Sequence, residues 1–149
     1  LVAMVALLLL LIAIYVRLGT GRTPAPAAET WLVRVPFSVY LGWISVATIA
    51  NASSWLDYVG WGGWGVQPET WTIIMLGAAT AITAAVTFTR GDVAFGLVIV
   101  WAFAGIAVKH AGTPLVAPAA WVATAAAAVV TALGVWTHRP GKLSPAAAS

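Results

Sequence analysis

Five apolar runs set the terms for this chain: Leu1 to Gly19, Trp31 to Ala52, Trp71 to Thr89, Val93 to Val108 and Val116 to Trp136. A bilayer core of about 30 Å takes about 20 apolar residues to cross as a helix. The fourth run is short and reaches further by snorkelling through Lys109. Little of the 149-residue chain is left over for a soluble domain. Charged residues make up only 7% of it, against about 25% in soluble domains, so the class is membrane. The expected fold is an all-α integral membrane protein, a bundle of about five transmembrane helices.

Cysteine is absent, which removes disulfides, thiolate metal sites and thiol catalysis. The sequence pI near 9.8 does not point to nucleic acid. The basic residues sit at the ends of hydrophobic spans, the pattern that orients a membrane protein. With all five runs spanning, Arg17, Arg22, Arg34, Arg90, Arg139 and Lys142 fall on one side and Lys109 alone on the other. The positive-inside rule makes the basic side cytoplasmic, with the C-terminus there too. The expected location is a bacterial membrane, the inner one. The chain opens with Leu1 in an apolar run and shows no basic leader, so it reads as the C-terminal part of a longer polytopic protein.

The loop TGRTPAPAAET reads as a surface connection, and Arg90-Gly91-Asp92 is too short for anything but an antiparallel turn. Residues 53–70, SSWLDYVGWGGWGVQPET, form an outward loop rich in Trp and Gly. Its indoles suit an interfacial aromatic belt; the rival reading is a lid, with Trp61 and Trp64 covering a ligand. Small residues recur every four positions at Gly77, Ala81, Ala85 and Thr89, and again at Ala119, Ala123, Ala127 and Thr131. Such stripes let helices approach closely, within the chain or against other subunits. Residues 139–149 read as a mobile cytoplasmic tail.

The second run carries the most chemistry. VPFSVYLGWISVATIAN holds a proline, two aromatics beyond its phenylalanine, hydroxyls and an amide at membrane depth, where polar groups are costly unless partnered. On a helical wheel Tyr40, Trp43, Ala47 and Asn51 share an arc of about 80°. A phenol, an indole, a small gap and an amide make a wall for a flat, mostly apolar ligand. The plainer reading has Tyr40 and Asn51 bonding to neighbouring helices. Pro36 is expected near the helix start, where its missing N–H matters least. Arg34 reads as a snorkelling interface residue, with an anionic headgroup or propionate anchor as the rival. His110 and His138 sit at opposite span ends and cannot share a metal. Asp57, Glu69, Asp92 and Glu29 lie in loops, with Asp57 and Glu69 read as solvated. No catalytic residue, metal motif or covalent cofactor is expected.

The segment Trp43-Ile-Ser-Val-Ala47-Thr48-Ile-Ala-Asn51 has the pattern W-x-x-x-A-T-x-x-N. It resembles the fifth helix of the tryptophan-rich sensory protein family, also called the translocator protein (TspO/MBR) family. The run that follows looks like an extended bacterial branch. The resemblance implies that residues 1–52 are the last two helices of a TspO-like core and residues 71–138 a three-helix membrane extension. It also implies a membrane protein that binds a tetrapyrrole or similar apolar molecule, with Trp43, Ala47, Thr48 and Asn51 on the ligand helix and a sensing or transport role. A porphyrin, a chlorophyll-type pigment or a lipid are the occupants it suggests, and a homodimer or larger membrane complex the partners. Pro36 lies seven residues before Trp43, a longer spacing than the family's, and no basic residue closely follows Tyr58, so the sterol pattern is not reproduced. The alternative class is an accessory subunit of a photosynthetic or respiratory membrane complex, packing helices and holding lipids or pigments.

Overall fold

The computed structural model describes residues 1–138, all of whose regular structure is helical; the expected tail, residues 139–149, lies outside the described residues. Five main helices follow in order: α1 (Val2–Arg17), α2 (Ala27–Tyr58), α3 (Pro68–Arg90), α4 (Val93–Lys109) and α5 (Val116–Thr137). Helices α2, α3 and α5 are long and apolar enough to cross a membrane, and α1 and α4 are shorter apolar helices. At 1.5 Å per residue, α4 is about 25 Å long, the least of the four that follow α1. It is also the hub. Helix α4 packs on α2, α3 and α5, while α1 packs on α2 and α3 on α5. Phe95, Ile99 and Phe103 of α4 are almost wholly buried and form the centre of the core.

The three-helix half is held by close approach. A Cβ on Gly134 of α5 would stand 2.7 Å from the Thr87 side chain of α3, and one on Gly96 of α4 would collide with Thr131. The buried Thr83, Thr87 and Thr131 satisfy their hydroxyls by donating to the carbonyl one turn back, at 2.7–2.8 Å. Helix association in lipid relies on this sort of packing, since apolar burial there gains nothing over lipid contact. Of the two small-residue stripes, that of α5 turns inward, with Ala123, Ala127 and Thr131 buried. Gly77, Ala81, Ala85 and Thr89 of α3 face out, and Leu76, Ala79, Thr83 and Thr87 pack instead.

Helix α2 departs from expectation at both ends. It begins at Ala27, so Pro36 lies inside it rather than near its start. Pro36 cannot donate to the carbonyl of Leu32, and the segment Thr30–Arg34 around that carbonyl is widened into a π-helix. At its other end α2 runs on to Tyr58, well into the stretch expected as loop, and Asp57 lies on its last turn. The remaining connection to α3 folds over three mutually packed indoles. Trp61 and Trp64 meet edge to face at 5.3 Å, and Trp71 lies 5.4 and 6.0 Å from them. Trp71 Nε1 donates to the Gly63 carbonyl at 3.1 Å.

A lateral groove bounded by arginines and indoles

At the opposite end of the bundle, the α1–α2 connection meets the α3–α4 turn. Gly91 ends α3 in the left-handed conformation at φ 61°, its N–H donating to Thr87. Asp92 then caps α4, its Oδ1 accepting from the Phe95 N–H at 3.1 Å. Its Oδ2 accepts from the Tyr15 hydroxyl of α1 at 2.7 Å. Arg90 lies over the Tyr15 ring, 5.0 Å from its centroid, and its Nη1 donates to the Thr20 carbonyl at 3.2 Å. Gly21, at φ +74°, lies so close to the Arg90 carbonyl that a Cβ would collide with it. One end of α1 is thus sewn to the turn between α3 and α4, although α1 shares no long packed face with either.

Arg34 does not snorkel. It is 8% exposed and folds back onto its own chain. Nε donates to Glu29 Oε1 at 2.9 Å, Nη1 to the Thr23 carbonyl at 2.7 Å and Nη2 to Thr23 Oγ1 at 3.1 Å. The early start of α2 makes this happen, because it brings Glu29 onto the helix one widened turn before Arg34. Asp92 and Glu29, both placed in loops by the sequence, are therefore paired groups.

Between α2 and α4 runs a groove of about 880 Å³. The two helices run parallel, and their matched ridges form its walls: Val35, Val39 and Trp43 on α2, Val93, Leu97 and Trp101 on α4. They touch at Gly42, where a Cβ would meet Val98 at 3.1 Å, and the groove opens beside this contact. Trp43 and Trp101 close it with ring centroids 5.4 Å apart. From Arg34 to Trp43 is about 13 Å along the helix at 1.5 Å per residue. The other end is polar, bordered by Arg34, Arg90, Asp92, Thr20 and Ser38.

Two of those residues are unusual. Ser38 is 1% exposed and Thr20 9%, and the hydroxyl of each lacks a hydrogen-bond partner among the described residues. Other hydroxyls on α2, those of Ser45 and Thr48, donate to the carbonyl four residues back at 2.7 Å. The carbonyl that Ser38 would use is that of Arg34, the last residue of the π segment. Buried polar atoms without partners are few in native structures. Both here border one groove.

The residues singled out from sequence are distributed as follows. Trp43 lines the groove. Trp43, Ala47 and Asn51 also line a smaller cleft of about 520 Å³, together with Met4 of α1. Tyr40 is exposed and borders neither. Thr48 is buried on the packed face with Ser38, Leu41 and Ile44. The wheel face of Tyr40, Trp43, Ala47 and Asn51 therefore lies away from the side of α2 that packs. Trp61 and Trp64 cover neither hollow, as they pack with Trp71 at the far end. Trp31, Ser38, Thr20, Arg90 and Trp101 escaped the sequence reading as site residues. Only Asp92 carried a local signal, an Asp straight after Gly and before an apolar run, which is a helix-cap pattern.

Among the described residues no group of three or more His, Asp or Glu could hold a metal ion. No curated protein and no solved structure matches the chain significantly. The TSPO-like protein family matches residues 1–135, a stretch that takes in α1 to α4 and nearly all of α5 rather than only the first two helices. An all-helical membrane bundle matched along nine-tenths of its length in this way is a member of that family: the chain is a TSPO-like protein.

Proposed function

We propose that this TSPO-like membrane protein binds a flat, mostly apolar small molecule, a tetrapyrrole or similar compound, in the groove between α2 and α4, in a sensing or transport role without covalent chemistry. The observation that carries this reading is the groove's lining. An apolar channel walled by valines, a leucine and three indoles ends in two guanidinium groups and two hydroxyls without a partner among the described residues. Ligand sites combine a mainly apolar wall with a few convergent polar groups in this manner. Trp43 borders both the groove and the cleft lined by Ala47 and Asn51. The basic end of the bundle is assigned to the cytoplasm, and the membrane to the bacterial inner one.

The test is quenching of tryptophan fluorescence by protoporphyrin in detergent micelles. Trp43→Ala weakens binding at least tenfold, and Trp61→Ala leaves the affinity unchanged. Equal effects of the two would remove the groove as the site.

A second reading has an observation of its own. Gly77, Ala81, Ala85 and Thr89 present a small-residue ridge outward from α3. That ridge suits close packing against another helix, as in an accessory subunit of a larger membrane complex or a homodimer. Purification in mild detergent followed by mass analysis separates the readings, since an obligate subunit arrives with partners at a fixed ratio.

A further inference from the structure

The groove has a direction, and the direction matches that of a lipid in a bilayer leaflet. Its polar end lies toward the helix ends, with Arg90 the last residue of α3 and Arg34 immediately before the regular α-helical part of α2. Arginines at span ends sit at headgroup depth. Its apolar end lies about 13 Å deeper, at the Trp43–Trp101 pair. The groove is open at the side, because Trp31 is 70% and Trp101 64% exposed on its rims. A molecule already in the membrane can enter without turning over or leaving the hydrocarbon.

The polar end also has spare capacity for an anion. Arg34 is committed to Glu29, Thr23 and the Gly19 carbonyl. Arg90 donates only through Nη1 among the described residues, which leaves Nε and Nη2 for a phosphate oxygen. Asp92 borders this end as well, but both its oxygens are bonded to neutral donors, the Tyr15 hydroxyl and the Phe95 N–H. It makes no hydrogen bond to Arg90 among the described residues, and the remaining N–H groups of Arg90 are the ones an anion meets. The Ser38 and Thr20 hydroxyls are further donors once rotated toward an occupant.

We infer that the groove takes an anionic phospholipid of the surrounding leaflet, its phosphate against Arg90 and one acyl chain along Leu97 and Val39 to the Trp43–Trp101 pair. This rests on the groove being the ligand site proposed above, and it names the membrane component that occupies that site when the planar ligand is absent. A lipid held there competes with a planar ligand for the same walls.

Native mass spectrometry tests it on the whole chain released from vesicles of equal phosphatidylglycerol and phosphatidylcholine. Wild-type protein retains one phosphatidylglycerol per chain in at least fivefold preference over phosphatidylcholine. Arg90→Gln abolishes the preference, Arg90→Lys keeps at least half of it, and Lys109→Gln, at the other end of α4, leaves it intact. Leu97→Trp, at an exposed position on the groove wall, lowers total retention at least fivefold, and it keeps the test open if Arg90→Gln fails to fold. Retention without charge preference, or equal losses from Lys109→Gln and Arg90→Gln, overturns the inference. If Leu97→Trp also leaves protoporphyrin binding unchanged, the groove itself is not the site. If it weakens protoporphyrin binding while lipid preference is absent, the inference alone has failed.

Discussion

The two ends of this bundle use similar residues to opposite effect. At one end Trp61, Trp64 and Trp71 meet each other at 5.3 to 6.0 Å, so each indole fills the space beside the next and nothing is left between them. At the other, Trp31, Trp43 and Trp101 are spread over two helices and leave a groove of about 880 Å³, closed by a single pair. In sequence the first suits an interfacial aromatic belt, with a lid as the rival reading, since its tryptophans and glycines are close together. A site needs aromatic surface that remains unpaired, which residues close in one loop lose by collapsing together. The second difference is electrostatic. The groove end carries charged side chains with hydrogen-bond partners, Asp92 with Tyr15, Arg90 with the Thr20 carbonyl and Arg34 with Glu29, whereas among the described residues one side-chain hydrogen bond, from Trp71 to Gly63, joins the indole cluster.

That comparison breaks if substitutions at the two ends have similar effects. Asp92→Ala should be the most damaging, removing the cap of α4 and leaving the Tyr15 hydroxyl buried without its acceptor, for a loss of about 3 kcal/mol. Thermal unfolding in detergent reads this as a lowered midpoint. Gly21→Ala comes next, at about 2 kcal/mol, because a side chain is strained at φ +74° and the Arg90 carbonyl occupies the Cβ position. Arg34→Gln should cost about 1–2 kcal/mol through its charged hydrogen bonds and speed proteolysis between Gly19 and Thr30. Trp64→Gly sharpens the contrast from the other side. Trp64 is 82% exposed and sits at φ 54°, so relief of backbone strain offsets the lost edge-to-face contact. The net change should stay within about 1 kcal/mol. A larger loss for Trp64→Gly than for Asp92→Ala would invert the picture.

How much was legible in the sequence varies with the range of the interaction involved. The five apolar runs gave helices at nearly their observed positions, because length and hydropathy act locally. The antiparallel α3–α4 turn followed from its three residues, and Gly91 with Asp92 shows why, one ending a helix and the other capping the next. Pro36 misled for a local reason: proline is placed best at a helix start, and the widened turn at Thr30–Arg34 let the helix begin earlier. Of the α2 wheel face, Trp43, Ala47 and Asn51 line one cleft and Tyr40 does not. Which face packs was a different matter. Arg34, Ser38, Leu41 and Thr48 took the interior, since the side of α2 that carries Gly42 is where α4 can approach.

What the sequence by itself determined is the class of molecule: a helical membrane bundle with its basic residues gathered toward one end, because the cost of apolar surface in water and of charge in lipid acts on each segment separately. Tertiary structure alone decided that Tyr15 finds Asp92 across 77 residues, that Arg90 reaches Thr20, and that Trp43 meets Trp101 at the end of an open groove. Those pairings depend on how helices far apart in sequence, and the turns that join them, come to lie against one another. Register is fixed by small side chains such as Gly42, Gly96 and Gly134, whose importance shows only once a partner lies against them.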